Sequence, residues 1–152
     1  MTVDFEKLKQ LREKTGISFS LCKKALEETN NDMAAAEKKL QELAGAKIEE
    51  KSTRVTSAGA IFNYVHHNKK IASLVELLSE TDFVSENKEF QTLGNELALH
   101  IASMPANTVE ELLEQEYVRD PSKKIKDLIK ESVVKFGENV KVNRFIRWEL
   151  GI

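Results

Sequence analysis

Residues 59–78 read GAIFNYVHHNKKIASLVELL. The runs 59–65 and 71–78 are rich in β-branched, aromatic and aliphatic side chains, and five polar residues, 66–70, separate them. Two short apolar runs on either side of a polar turn are typical of a β-hairpin. We therefore predict two antiparallel strands here, and the rest of the second half of the chain is interpreted around this hairpin.

The chain after the hairpin changes to a helical period. Between residues 88 and 104 apolar side chains recur every three or four positions, which predicts a helix that ends before Pro105. Its apolar stripe consists of Phe90, Leu93, Leu97, Ile101 and Met104. A shorter helix is predicted around residues 109–114.

Another helix and a last strand complete the pattern. Asp120 as cap and Pro121 in the first turn predict a helix start, and Gly137 predicts its end. The residues after it alternate, which puts five apolar side chains on one face: Val140, Val142, Ile146, Trp148 and Leu150. Arg144 and Phe145 interrupt the alternation. The order strand, strand, helix, helix, strand predicts an α+β domain, in which a small antiparallel three-stranded sheet packs with helices.

The first 45 residues predict a separate three-helix bundle. Thr15-Gly16 ends the first helix, Ser18 caps the second, and residues 30–32 separate the second from the third. The expected inner residues are Phe5, Leu8, Leu11, Leu21, Cys22, Ala25, Leu26, Met33, Ala36, Leu40 and Leu43. The next stretch is small and polar, so we predict a linker at 46–56 and the α+β domain at 57–152.

Composition argues against several classes of protein. The 152 residues carry a formal net charge of −2, and no segment concentrates basic side chains as a nucleic-acid-binding surface does. One cysteine, Cys22, cannot form a disulfide within the chain and fits a reducing compartment. No apolar run approaches the ~18 residues of a membrane span, and the N-terminus has no signal-peptide pattern. We expect a cytoplasmic protein that binds neither nucleic acid nor membrane.

The sequence contains no pattern that indicates catalysis. His66 and His67 fall in the hairpin turn and His100 lies off the main helical stripe, so all three are expected in solvent rather than on a metal. Cys22 has the neighbours of a small buried apolar residue. No glycine-rich phosphate loop is present, and no acid, base and oxyanion site can be assembled. We expect no metal, no cofactor and no enzymatic activity.

The turn at residues 80–87 has two interpretations. In the first, Asp82 or Ser85 caps the following helix and Phe83 packs onto the core. In the second, Phe83 projects from the turn as an anchor for a partner, since aromatic anchors often dominate interfaces. Periodicity does not decide between them.

Three ordered blocks make the chain similar to the bacterial elongation factor Ts family, the nucleotide exchange factors of elongation factor Tu. The blocks are LREKTG at 11–16 with CKKAL at 22–26 and ND at 31–32; TDFV at 81–84 with Asn87 and EF at 89–90; and DPSK at 120–123 with GEN at 137–139 and RF at 144–145. They span nearly the whole chain. The first resembles the family's ubiquitin-associated-like N-terminal domain, and the second is the family's hallmark.

The resemblance implies a site and a mechanism. Thr81, Asp82, Phe83 and Val84 would enter elongation factor Tu beside its Mg²⁺ site, with Phe83 as a wedge, and so promote release of GDP. The N-terminal bundle would hold the partner's nucleotide-binding domain.

The N-terminal contact residues implied by the resemblance are Leu11, Arg12, Thr15 and Gly16. Leu11 has an alternative interpretation as a core residue of the bundle. Residues 17–22 depart from the family's usual pattern, which leaves the contacts of this loop open.

The resemblance also bears on assembly. Residues 104–120 are short where many relatives carry a helical insertion, and the chain has room for one core subdomain. Short relatives pair through their core sheets, which implies a homodimer without a disulfide across the core. The alternative function is a general protein-binding module that uses the ubiquitin-associated-like bundle alone.

Overall fold

The computed structural model describes residues 2–152, which form two units. The first comprises the chain up to Thr53 together with residues 133–137, and the second comprises residues 54–132 and 138–152. The predicted α+β class is confirmed: helices come first, followed by a three-stranded antiparallel sheet with further helices.

Three helices build the first unit: α1 (Phe5–Thr15), α2 (Phe19–Glu28) and α3 (Met33–Lys51). The side chains of Asp4, Ser18 and Asp32 accept hydrogen bonds from backbone N–H groups of the first turns and so cap the three helices. Gly16 ends α1 in the left-handed region, with φ of 69°.

The core of the first unit consists of Val3, Leu8, Leu11, Cys22, Ala25, Leu26, Ala36 and Leu40. One predicted inner residue is not part of this core, and one core residue was not predicted. Phe5 is 73% exposed, and Val3, just before the cap, is buried with the core. Helix α3 continues to Lys51, through the first half of the predicted linker, because no residue between Ala44 and Lys51 stops it.

The sheet of the second unit has the order β1-β2-β5. Strand β1 (Ala58–Val65) and strand β2 (Ile71–Ser79) form the predicted hairpin, and strand β5 (Lys141–Glu149) pairs antiparallel with the other edge of β2. Helix α5 (Lys88–Ser103) packs across β1 and β2. Phe90, Leu97 and Ile101 of its predicted stripe are fully buried, whereas Met104, which follows the helix, is 40% exposed.

Short elements fill the connections of the second unit. They are α4 (Asp82–Ser85), α6 (Val109–Glu114), β3 (Glu116–Tyr117) and β4 (Asp120–Lys124), and β3 pairs with β4. Helix α7 (Ile125–Phe136) follows β4. Its residues up to Ser132 belong to the second unit and its last turn belongs to the first.

The predicted helix start at Asp120-Pro121 is wrong. Both residues lie in β4, and α7 begins at Ile125. The Asp120 carboxylate accepts hydrogen bonds from the N–H and hydroxyl of Ser122, which closes a local turn instead of capping a helix. Asp127 accepts the N–H of Lys124 and so stabilises the real start of α7.

The predicted inner face of the last strand is half right. Val142 is buried, but Ile146 and Trp148 are 44% and 70% exposed. The cause is a bulge: Arg144 pairs with Glu76 and Val142 with Leu77, so Asn143 is an extra residue that reverses the alternation beyond it. This bulge accounts for the interruption of the alternation at Arg144 and Phe145 in the sequence.

Candidate partner-binding site

The turn after β2 presents Phe83 to solvent on a rigid support. Thr81, Asp82 and Phe83 are all exposed, and the Phe83 side chain is 91% exposed. The next residue, Val84, is buried and anchors α4 to the second unit. The interpretation in which Phe83 packs onto the core is therefore wrong, since Val84 is buried there instead.

Neither Asp82 nor Ser85, the two predicted caps, occupies the N-cap position of a helix. Thr81 occupies the N-cap position of α4 without a side-chain cap hydrogen bond, and the cap of α5 is Asn87, whose side chain accepts the N–H of Glu89 at 2.8 Å. Backbone bonds close the turn from within: Ser85 N–H reaches Thr81 O at 3.2 Å and Glu86 N–H reaches Asp82 O at 2.9 Å.

Side chains bind the turn to its surroundings at both ends. The Ser79 hydroxyl donates to Thr81 O at 2.9 Å, and Gln91 of α5 donates to Ser85 O at 2.7 Å. The Glu138 carboxylate accepts from the N–H groups of Glu80 and Thr81 and from the Thr81 hydroxyl. Sequence reasoning did not single out Glu138, although it stands in the GEN block at 137–139.

The predicted N-terminal residues fall into two environments. Leu11 is fully buried in the core of the first unit, in agreement with its alternative interpretation as a core residue. Arg12 is exposed. Thr15 and Gly16 finish α1, because the Thr15 hydroxyl donates to Leu11 O at 2.8 Å and Gly16 N–H donates to Arg12 O at 2.8 Å.

A surface groove lies beside Arg12 in the first unit. It is lined by Phe5, Leu8, Lys9, Arg12, Glu13 and Phe19. Phe5 and Phe19 are 73% and 46% exposed. The groove thus combines apolar walls with charges of both signs, and neither phenylalanine was among the predicted contact residues.

The face of the sheet that turns away from α5 is largely apolar and exposed. Its apolar residues are Ile61, Val65, Leu74, Ile146 and Trp148, each at least 44% exposed. Arg144 donates to Glu76 at 2.6 Å on this face, and the ion pair holds the pKa of Glu76 below its ordinary value. We call this surface the open sheet face.

His100 and Cys22 are both buried in the protein interior. The expectation that His100 lies in solvent is wrong: it is fully buried, its Nε2 lies 2.9 Å from Gln115 Oε1, and the Val118 N–H donates to its Nδ1. Cys22 is buried, as expected, and burial raises the pKa of its thiol. Among residues 2–152 no group of three or more His, Cys, Asp or Glu side chains is arranged to hold a metal ion.

No helix within the described part of the chain is both long and apolar enough to cross a membrane.

Comparisons with known proteins point to one family. Residues 80–151 match the family described as "Elongation factor TS", and residues 1–47 match "Elongation factor Ts, mitochondrial, N-terminal". The elongation factors Ts of Herpetosiphon aurantiacus and Coprothermobacter proteolyticus are each 38% identical to this chain, and each alignment covers 99% of it. The alignments cover 99% of the Herpetosiphon protein and 100% of the Coprothermobacter protein. The elongation factor Ts of Thermosipho melanesiensis is 36% identical, over 95% of this chain and 96% of its own.

The alignment with the Herpetosiphon protein also shows a length difference. It is 196 positions long whereas this chain has 152 residues, so at least 44 positions face a gap in this chain. The similarity nevertheless reaches both ends, because 99% of the chain is covered.

Proposed function

Because this chain belongs to the elongation factor Ts family, we propose that it is a guanine nucleotide exchange factor for elongation factor Tu. Family membership itself supports a role in translation elongation. The finer proposal rests on one observation above all: Phe83 is 91% exposed on a turn whose next residue is buried. A rigid turn with a projecting aromatic side chain suits insertion into a pocket of a partner.

The proposed mechanism is a displacement. Asp82 and Phe83 enter the GDP-bound partner beside its Mg²⁺ site, and Thr81 and Val84 hold them in position. Loss of the metal removes the positive charge that compensates the GDP phosphates, so the affinity for GDP falls. The coupling is reciprocal, and GDP with Mg²⁺ therefore weakens the binding of this protein by the same factor. No covalent bond changes, so we propose a binding protein and not an enzyme.

The groove of the first unit is the second proposed contact. Phe5 and Phe19 offer apolar surface next to the guanidinium of Arg12, which suits an amphipathic helix of the partner. In this proposal Arg12 contacts elongation factor Tu directly, together with Thr15 and Gly16 at the end of α1, whereas buried Leu11 supports the bundle beneath the contact.

The open sheet face supports a homodimer. Contiguous apolar side chains on one face of a sheet are unfavourable in water, and two such faces from two copies would cover each other as stacked sheets ~10 Å apart. We include this assembly, a cytoplasmic location and the absence of nucleic acid and membrane partners in the proposal.

A nucleotide-release measurement tests the proposed function. Elongation factor Tu is loaded with a fluorescent GDP analogue, and its release is followed after addition of excess GDP, with and without this protein. We expect the wild-type protein to increase the release rate strongly. An unchanged rate would contradict the proposal. If the protein then still bound elongation factor Tu through its first unit, the alternative of a general binding module would stand.

A further inference from the structure

The N-terminal side of the turn that carries Phe83 lies at the surface, just beyond the end of β2. Glu80 is only partly buried, and Thr81 and Asp82 are exposed. The backbone N–H groups of Glu80 and Thr81 follow the last paired residue of β2, Ser79, which pairs with Ala58. Ser79 and Ser85 hold the carbonyl oxygen of Thr81, and the partner of these two N–H groups supplies the remaining restraint on this side of the turn.

That partner is one carboxylate. Glu138 Oε1 accepts the N–H of Glu80 at 3.1 Å and the N–H of Thr81 at 3.0 Å, and its Oε2 accepts the Thr81 hydroxyl at 2.7 Å. Hydrogen bonds to an ionised acceptor are stronger than neutral ones, so this group contributes more than a typical side chain. The Thr81 hydroxyl makes this contact and forms no cap hydrogen bond to α4.

Glu138 is itself placed by the residues around it. Its neighbours Asn139 and Val140 are buried, and β5 begins one residue later, beside the end of β2. The Asn139 side chain donates to Arg54 O at 2.9 Å. The Arg54 guanidinium lies 3.7 Å from the Glu80 carboxylate, so the segment before β1 supports the same turn.

We propose that Glu138 is a positioning residue for nucleotide exchange: it holds the turn in the one conformation that projects Phe83, and it does so without touching the partner's nucleotide site. The inference rests on the proposed function. A turn that is ordered before binding loses less conformational entropy on insertion, and the fraction of molecules ready to bind is then close to one.

This role has a kinetic signature that differs from that of the wedge itself. If Glu138→Ala lets the turn move, fewer molecules are competent to bind, and the apparent dissociation constant rises by the inverse of that fraction. At saturating concentrations of the variant, every partner molecule is still bound with the turn inserted. The concentration for half-maximal stimulation should therefore rise about 10-fold or more, while the maximal release rate stays within about 2-fold of wild type. Phe83→Ala should instead lower the maximal rate.

Amide hydrogen exchange of the free full-length protein tests the contact itself. In Glu138→Ala the amides of Glu80 and Thr81 should exchange about 10-fold faster or more, while amides of β2 remain as protected as in wild type. Glu138→Gln keeps an oxygen that can accept both N–H groups. Its exchange rates at Glu80 and Thr81 should therefore lie between those of wild type and Glu138→Ala. Glu110→Ala, which removes an exposed glutamate of α6, should leave both measurements unchanged.

Two results would overturn the proposal. One is wild-type protection of the Glu80 and Thr81 amides in Glu138→Ala. The other is a variant whose maximal rate falls while its half-maximal concentration is unchanged. If wild-type protein fails to stimulate GDP release at all, the proposed function fails and the role of Glu138 in exchange fails with it. The amide measurement then decides separately whether Glu138 orders the turn.

Discussion

Phe83 and Val84 are adjacent apolar residues in opposite environments. Phe83 is 91% exposed and Val84 is 9% exposed. An exposed side chain contributes little to the free energy of unfolding, whereas a buried one contributes through burial and packing. The two positions therefore separate partner binding from stability.

Substitution by alanine should affect the GDP release rate at one position and the free energy of unfolding at the other. Phe83→Ala is expected to lower the maximal GDP release rate ~10- to 100-fold and to change the free energy of unfolding by less than ~0.5 kcal/mol. Val84→Ala is expected to lower the free energy of unfolding by ~1–3 kcal/mol. The release assay and urea denaturation measure the two effects. Val55→Ala, at another exposed apolar residue, is the control, and equal release by Phe83→Ala and wild type would contradict the prediction.

Gly94 permits close packing between α5 and β1. A Cβ atom at this position would collide with the ring of Phe62, a buried residue of β1 that also lies against Phe90. The ring cannot move away freely, because it is enclosed in the core. This requirement is invisible in the sequence, where Gly94 interrupts an otherwise good helix.

Gly94→Ala should therefore lower the free energy of unfolding by ~1–3 kcal/mol, although alanine favours helix. Gly45→Ala in α3 is the matched control, because a Cβ there meets nothing within 4 Å. It should raise the free energy of unfolding by ~0.5–1 kcal/mol. Chemical denaturation followed by circular dichroism measures both. Stabilisation by Gly94→Ala would show that the ring of Phe62 yields.

At the scale of elements, His100 links α5 to the segment before β3 and to the turn after it. Its Nδ1 accepts the N–H of Val118, and its Nε2 faces the side-chain oxygen of Gln115, which fits the neutral ring with the proton on Nε2. Protonation of Nδ1 would leave the Val118 N–H without its acceptor. Burial lowers the pKa of His100 below the ordinary 6.5.

The stability of the second unit should therefore fall with acidification. Because the pKa of His100 is lower in the folded state than in the unfolded state, the unfolded state binds more protons once the pH is below ~6.5, and the free energy of unfolding decreases from there toward the lower pKa of the folded state. The slope from this group is at most ~1.4 kcal/mol per pH unit. Denaturation followed by Trp148 fluorescence between pH 7.5 and 5.5 measures it. In His100→Gln this slope should be absent, and an equal slope in both proteins would assign it to other groups.

Connections were harder to predict than strands and helices. The hairpin and α5 followed from repeated apolar spacing, which many residues determine together. The start of α7 depended on one aspartate, and Asp120 could equally bond to Ser122 in a turn. The bulge at Asn143 depended on the partner strand, so the sequence showed only an interruption of the pattern.

At the scale of the whole molecule, the open sheet face predicts association. Trp148 is 70% exposed on the edge strand β5, opposite Ala72 of the central strand β2, and the proposed homodimer would bury it. A charge at this position would have to be desolvated in the dimer, which is strongly unfavourable.

Trp148→Glu should therefore shift the protein to a monomer of 17.2 kDa, where wild type should have twice that mass. Sedimentation equilibrium over a range of concentrations measures this. Val55→Glu places the same charge at an 83% exposed residue off the open sheet face and should stay dimeric. A monomeric wild type would contradict the homodimer.

The sequence by itself determined the class of the fold, most of its helices and strands, the buried stripes of α2, α3 and α5, and the family. These properties rest on periodic patterns and ordered motifs that are local in the chain. Only the tertiary structure decided that Phe83 projects while Val84 is buried, that Ile146 and Trp148 face solvent, and that Glu138 reaches a turn more than fifty residues away. Each of these depends on which distant groups meet, and burial and hydrogen bonding across the fold determine that.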